Sequence, residues 1–231
     1  MRKYIIYIIS LIIIPSLLLI GFFIFDDKQY DIIAVIVALL SMLPFFLSFE
    51  NRKPEAREIV LIAVLTALCV SSRIIFAWTP SFKPVSAIII IIGLSFNKEI
   101  GFMVGSLTAL LSNMYFGQGP WTAFQMLAWG LTGFFSGLLS RFIKEKNIWI
   151  LLVFGIITGF TYSLIMDFQT MLAFDNTINL KRYLLFTINS LPMTIMYMVS
   201  NVIFLLLLKE PLVKKFKRVI EKYELYSKKT S

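Results

Sequence analysis

Histidine is absent from the 231 residues, and the single cysteine, Cys69, lies in a hydrophobic run. The first absence removes His-based zinc sites, HExxH peptidases and His-dependent catalytic triads together. The second removes any disulfide framework. Charge is scarce too, at 15% of residues. The apolar segments hold no pair of carboxylates, no Ser-Lys or Ser-His arrangement and no metal cluster. No GxxxxGK[ST] phosphate loop occurs, so ATP hydrolysis by that mechanism is excluded. A deep acidic residue of the type used by proton- or sodium-coupled carriers is also missing. The sequence therefore offers no catalytic residue, no metal ligand and no cofactor site.

What is present is apolar. Hydrophobic residues make up 58% of the chain, and mean hydropathy is +0.84. These values describe an all-α integral membrane protein rather than a soluble domain. The net charge of +9 sits in short loops and at the tail, which points to membrane topology and not to nucleic acid. The N-terminal apolar stretch is longer than a signal-peptide core and no A-x-A site follows, so it is read as a retained helix kinked at Pro15.

A spanning helix needs roughly 20 apolar residues. Eight candidates fit, at about 4–25, 31–49, 58–77, 84–97, 99–115, 121–142, 148–166 and 182–208. The first two are aliphatic or Phe throughout, and the charged "ENRKPEARE" follows them. Small residues become frequent only afterwards. The expected organisation is a two-helix accessory hairpin (1–50), a charged linker (51–57), a six-helix core (58–208) and a basic tail (209–231).

With the N-terminus cytoplasmic, 17 of the 22 Lys and Arg residues fall inside and five outside. That bias satisfies the positive-inside rule, and an even helix number puts both termini inside. The partly amphipathic tail is expected on the cytoplasmic leaflet. Three longer connections then lie outside the plasma membrane: "AWTPSFKP", "YFGQGP" and "DFQTMLAFDNTINL".

One stretch breaks the apolar pattern: "NMYFGQGPWTAFQMLAWG", Asn113 to Gly130. In its helical part Trp121, Gln125 and Trp129 recur every four residues and share one broad face. A planar aromatic wall beside an amide suits a flat ligand with polar edges. The last helix repeats the step with Asn189, Met193, Tyr197 and Asn201, interrupted at Pro192. Asn113, Arg73, Asp167 and Gln169 sit at similar depth. Interhelical hydrogen bonding would account for such groups, but their convergence on one side favours a pocket opening outward. Candidate ligand residues are Asn113, Trp121, Gln125, Trp129, Asn189 and Tyr197. Trp78, Phe82 and Lys83 in "AWTPSFKP" form a candidate gate.

Small residues recur four apart. Gly101/Gly105, Gly133/Gly137 and Gly155/Gly159 are read as tight packing within the bundle. Ala63 and Ala67 make a flat strip that either packs internally or meets another backbone.

The combination of the A-x-x-x-A helix, "FKPVSAIIIIIGLSF", "GFMVGSLTALLSN" and "YFGQGPWTAFQMLAWGLTGFFSGLL" resembles the substrate-binding S component of energy-coupling factor (ECF) vitamin transporters, over about residues 56–208. The resemblance implies a non-catalytic subunit that binds a vitamin or precursor in an outward pocket with the first outer loop as lid. It implies contact between Ala63, Ala67 and a transmembrane T subunit, and energy from two cytoplasmic ATPase subunits. The "FGQGPW" variant resembles the branch associated with cobalamin or its precursors. The extra hairpin departs from the family's six helices. Two rival readings remain: a membrane assembly factor without ligand, and a membrane enzyme, against which the missing histidine and buried carboxylates argue.

Overall fold

The structure is a computed structural model, and it describes residues 30–51, 54–140, 148–175 and 177–223. The expected helix at 4–25 with its Pro15 kink lies outside the described residues, as do the connection 141–147 and the end of the tail. Eight helices make up the described chain: α1 Tyr30–Asn51, α2 Ala56–Ile75, α3 Val85–Ser95, α4 Lys98–Phe116, α5 Trp121–Leu139, α6 Ile148–Asp175, α7 Leu180–Asn189 and α8 Leu191–Lys222. The fold is all-helical, as the composition requires. By length and apolar content α2, α6 and α8 can each cross a membrane, so the protein is multi-pass.

The centre of the bundle is α3. Its 11 residues rise only about 16 Å, half a bilayer core. Ile89, Ile90, Ile91 and Ile92 are fully buried, packed by helices and not by lipid. The short helix is possible because its neighbours approach closely. A methyl placed on Gly93 would come within 2.4 Å of the Gly133 carbonyl oxygen, and one on Gly101 within 2.3 Å of the same atom. On the next turn, a methyl on Gly105 would meet the Trp129 carbonyl oxygen at 2.2 Å. The glycine pairs of α4 and α5 therefore face each other as an internal seam. Gly133→Val should cost about 3 kcal/mol through overpacking, since backbone cannot move aside as a side chain can. A lowered melting temperature in detergent checks this, and an unchanged one would refute the seam.

Helix ends follow local chemistry. Asn97 caps α4, its side chain accepting from the Ile100 N–H at 2.8 Å. Asn179 caps α7 through the Arg182 N–H at 3.1 Å. Gly117 closes α4 at φ +101, a conformation costly for other residues, and its N–H reaches the Asn113 carbonyl at 2.8 Å.

Two boundaries correct the sequence reading. The seventh predicted helix, 148–166, continues to Asp175, so "DFQTMLAFDNTINL" is mostly helix and not an extended loop. The segment after it stays helical because Met171 and Leu172 bury themselves against Phe124. The last predicted helix, 182–208, is two helices broken at Ser190. There the Ser190 hydroxyl donates to Asp167 Oδ2 at 2.7 Å, fixing the break to α6. Pro192 falls in the first turn of α8, where its missing N–H costs nothing.

The tail also differs from a detached surface segment. α8 runs unbroken to Lys222, about 48 Å, well beyond the hydrocarbon thickness. Phe216 is buried with its ring 5.2 Å from Phe96, and Arg57 donates to the Tyr223 carbonyl at 3.0 Å. α1 likewise joins the core. Phe45 stacks on Phe102 with centroids 4.1 Å apart, and Met42 and Phe49 belong to the same cluster. α1 packs on α4, α5 and α6 and makes no contact with α2.

Candidate functional site

At the end of the bundle where α2 finishes, a cavity of about 50 Å³ is lined by Arg73, Ser81, Lys83, Val85, Ser86, Trp129, Tyr162, Tyr197 and Asn201. Helices α2, α3, α5, α6 and α8 and the segment 76–84 all contribute. The seam described above sets its floor: the contact at Gly105 fixes the height of Trp129, whose ring is 3% exposed.

The aromatic walls are ordered. Trp129 and Tyr162 lie nearly parallel, 13° apart with centroids at 5.7 Å. Tyr197 meets Tyr162 edge-on at 5.0 Å. Of the described side chains, Trp129 Nε1 is one of the few buried polar atoms without a hydrogen-bond partner. A buried N–H left so is costly unless something accepts from it.

Behind the walls runs a chain of polar contacts. Arg73 Nη1 donates to Ser112 Oγ and, at 2.7 Å, to Asn113 Oδ1. Asn113 Nδ2 donates to Gln125 Oε1 at 2.8 Å and to Thr122 Oγ1 at 3.0 Å. Gln125 Nε2 donates to the Tyr162 hydroxyl at 2.7 Å. Both ends of the Gln125 amide are thus engaged by protein, and the residue is 4% exposed. Asn113 is equally buried. These two amides hold Arg73 and Tyr162 in place, one layer behind the cavity surface.

The segment 76–84 covers the cavity. Ser81 has φ +60, a strained region for a residue other than glycine. Its hydroxyl points to Met193 Sδ at 2.9 Å. Ser200 donates to the Lys83 carbonyl at 2.9 Å, and Phe82 rests on Phe204 at 5.1 Å. Trp78 is 81% exposed at the tip. The Lys83 ammonium sits 4.8 Å over the Phe116 ring, and Arg73 lies over the same ring at 4.3 Å. Burial, and next the charge of Arg73, hold the Lys83 ammonium below the usual lysine range.

Of the residues singled out from the sequence, Trp129, Tyr197 and Lys83 come together at the cavity. Asn113 and Gln125 support it. Trp121 does not reach it: its indole folds back on Gly119, at 2.3 Å from where a methyl would stand, and is 40% exposed. Asn189 is exposed at the α7–α8 break. Ala63 and Ala67 stand exposed on α2, away from the cavity, and Ser71 extends their strip by a turn. Arg73 and Asn201 were visible as polar residues at the right depth without being assigned to the site. Tyr162 was missed. The signal was present: it follows Gly159 by three residues, on the small-residue face that turns inward.

Among the described residues no three His, Cys, Asp or Glu side chains gather as a metal site would need. The arrangement is suited to holding a flat molecule, with donors at its edge. Comparison with protein families gives a match to the "ECF-type riboflavin transporter, S component", over residues 53–215, well over half the chain. The protein belongs to this S-component family. S components are membrane-embedded substrate-binding subunits of vitamin transporters and not enzymes. No curated protein and no solved structure matches this S component.

Proposed function

We propose that the cavity between Arg73, Trp129, Tyr162 and Tyr197 captures a flat vitamin from outside the cell, with riboflavin as the first candidate. The observation that carries this is the pair of nearly parallel rings, Trp129 and Tyr162, beside an unpartnered indole N–H. A flavin has a flat aromatic system and carbonyl acceptors along one edge, which matches that pairing. The family's name supports the same choice. The "FGQGPW" resemblance favours a cobalamin-related ligand instead. A corrinoid is far bulkier than a flavin and would demand a much larger rearrangement of this cavity. In the proposal residues 58–208 are the substrate-binding core, and 1–50 are accessory to it.

Pockets for drug-sized ligands hold roughly 300–1,000 Å³. The cavity here is about 50 Å³. The segment Phe76–Pro84 is therefore the gate that must swing to admit ligand, with Trp78 at its tip and Phe82 and Lys83 at its hinge side. A few contacts hold it down, chiefly those of Ser81, Phe82 and Lys83. Delivery inward is assigned to a T subunit docked on Ala63 and Ala67 and to two ATPase subunits, since this chain carries no phosphate loop. Titration of the purified full-length protein with riboflavin tests the reading. Saturable quenching of flavin fluorescence at one site per chain is expected, and absence of binding by riboflavin and by its phosphate ester alike would overturn the flavin assignment.

The same reading places both termini in the cytoplasm and the α6–α7 turn outside. Thr177 is exposed in that turn, while Cys69 is fully buried and gives no background. Thr177→Cys should react with a membrane-impermeant maleimide in intact cells. Labelling only after permeabilisation would reverse the threading.

A further inference from the structure

The cavity has a charge asymmetry that a neutral vitamin does not use. Arg73 and Lys83 both line it, and no Asp or Glu does. Among the described residues neither cation is paired with a carboxylate. The acceptors that hold Arg73, Ser112 Oγ and Asn113 Oδ1, are neutral. The two cations also share one ring, with Arg73 Cζ at 4.3 Å and Lys83 Nζ at 4.8 Å from the Phe116 centroid. Holding two like charges about one ring is unfavourable in a partly desolvated site, and a bound anion reverses the sign of that interaction.

The guanidinium is also fixed in advance. Asn113, which binds it, is itself held by Thr122 and Gln125, and Gln125 by Tyr162. A guanidinium held this way offers its remaining N–H donors in a set direction, which is the arrangement that recognises carboxylate or phosphate. The third donor is independent of the charges. Trp129 is 97% buried by its 3% exposure, lines the same cavity, and has no partner for its N–H among the described residues.

We infer that the ligand carries an anionic substituent, bound between Arg73 and Lys83, so that the protein prefers a phosphorylated flavin to the neutral one. This rests on the flavin reading above and narrows it. Lys83 belongs to the gate and Arg73 to the wall. An anion bridging them ties the gate shut over the ligand, so charge recognition and closure are one event.

The test compares riboflavin with riboflavin 5′-phosphate on the purified full-length protein, titrated at low and high salt. The phosphate ester should bind about tenfold tighter or more at low salt, and the preference should shrink as salt rises. Lys83→Met and Arg73→Met should each bring the ratio of the two affinities close to one. Lys83 is in the covering segment, so its variant decides the matter if the Arg73 variant fails to fold. Equal or tighter binding of riboflavin overturns the anion inference and leaves the flavin reading standing. A preference for the ester that survives Lys83→Met overturns the assignment to this pair. Binding of neither compound overturns both readings.

Discussion

Ala67→Trp, and independently Ala63→Trp, should abolish uptake in cells that express the whole transporter. Both alanines are exposed on α2, on the face opposite Leu61, Ile62, Leu65, Thr66 and Cys69, which bury against the bundle. Ser71 continues the strip. Large apolar side chains flank it, with Val60 63% and Val64 61% exposed. Small residues between large ones form a groove for another helix, because backbones can then approach closely. An indole in the groove forces them apart and removes contacts along the whole line. Overpacking a tight contact costs roughly 1–3 kcal/mol per site, about 5- to 150-fold in complex formation, and the two sites together cost more. The T subunit should fail to copurify with the variants. The effect on the isolated chain should be small, since neither alanine packs inside it and substitutions at such sites usually change stability by less than about 0.5 kcal/mol. Ligand affinity should therefore persist. α1 packs on α4, α5 and α6 and not on α2, so it leaves the strip open. Normal uptake by both tryptophan variants would move the docking surface elsewhere.

The second large effect is at Trp129. Trp129→Ala removes one member of the stacked aromatic pair that lines the cavity, together with the unpartnered N–H. Loss of a buried indole costs about 3–5 kcal/mol in cores, and a cavity wall that contacts ligand should lose affinity of the same order, roughly 100-fold or more. The variant would also destabilise the fold, because the buried indole is part of the main core cluster. Trp129→Phe separates the two effects. It keeps the flat apolar face and removes only the N–H, so folding should be nearly intact while affinity for riboflavin falls about tenfold. If Trp129→Phe binds normally, the N–H does not meet the ligand. If both variants bind normally, the site is not at this cavity. Gln125→Ala should behave differently from either. Its amide joins Asn113 to Tyr162, so its loss should lower the melting temperature and disturb the aromatic wall indirectly, without removing a ligand contact.

Membrane residence, an all-helical fold and the absence of histidine chemistry were determined by sequence alone. They follow from composition, because a bilayer demands long apolar helices and catalysis demands particular side chains. The family was legible too, since the small-residue steps and the polar break at "FGQGPW" are local patterns. So was the polarity of Trp129, Gln125 and Tyr197, which no lipid-facing surface would tolerate as a set. The sequence could not tell a residue at the cavity from one behind it. Trp129 and Gln125 share a helix face, yet only tertiary packing turned the indole into the cavity and gave both ends of the amide to Asn113 and Tyr162. Periodicity reports which side of a helix faces inward, and not how deep a neighbour's side chain stands in front of it. The same limit hid the role of α3. Five isoleucines in a row look lipid-facing by hydropathy, but glycines from two other helices brought backbones so close that the run became the centre of the bundle. Arg73 and Lys83, ten residues apart in sequence, became neighbours over Phe116 only because the segment 76–84 folds back across the end of α2.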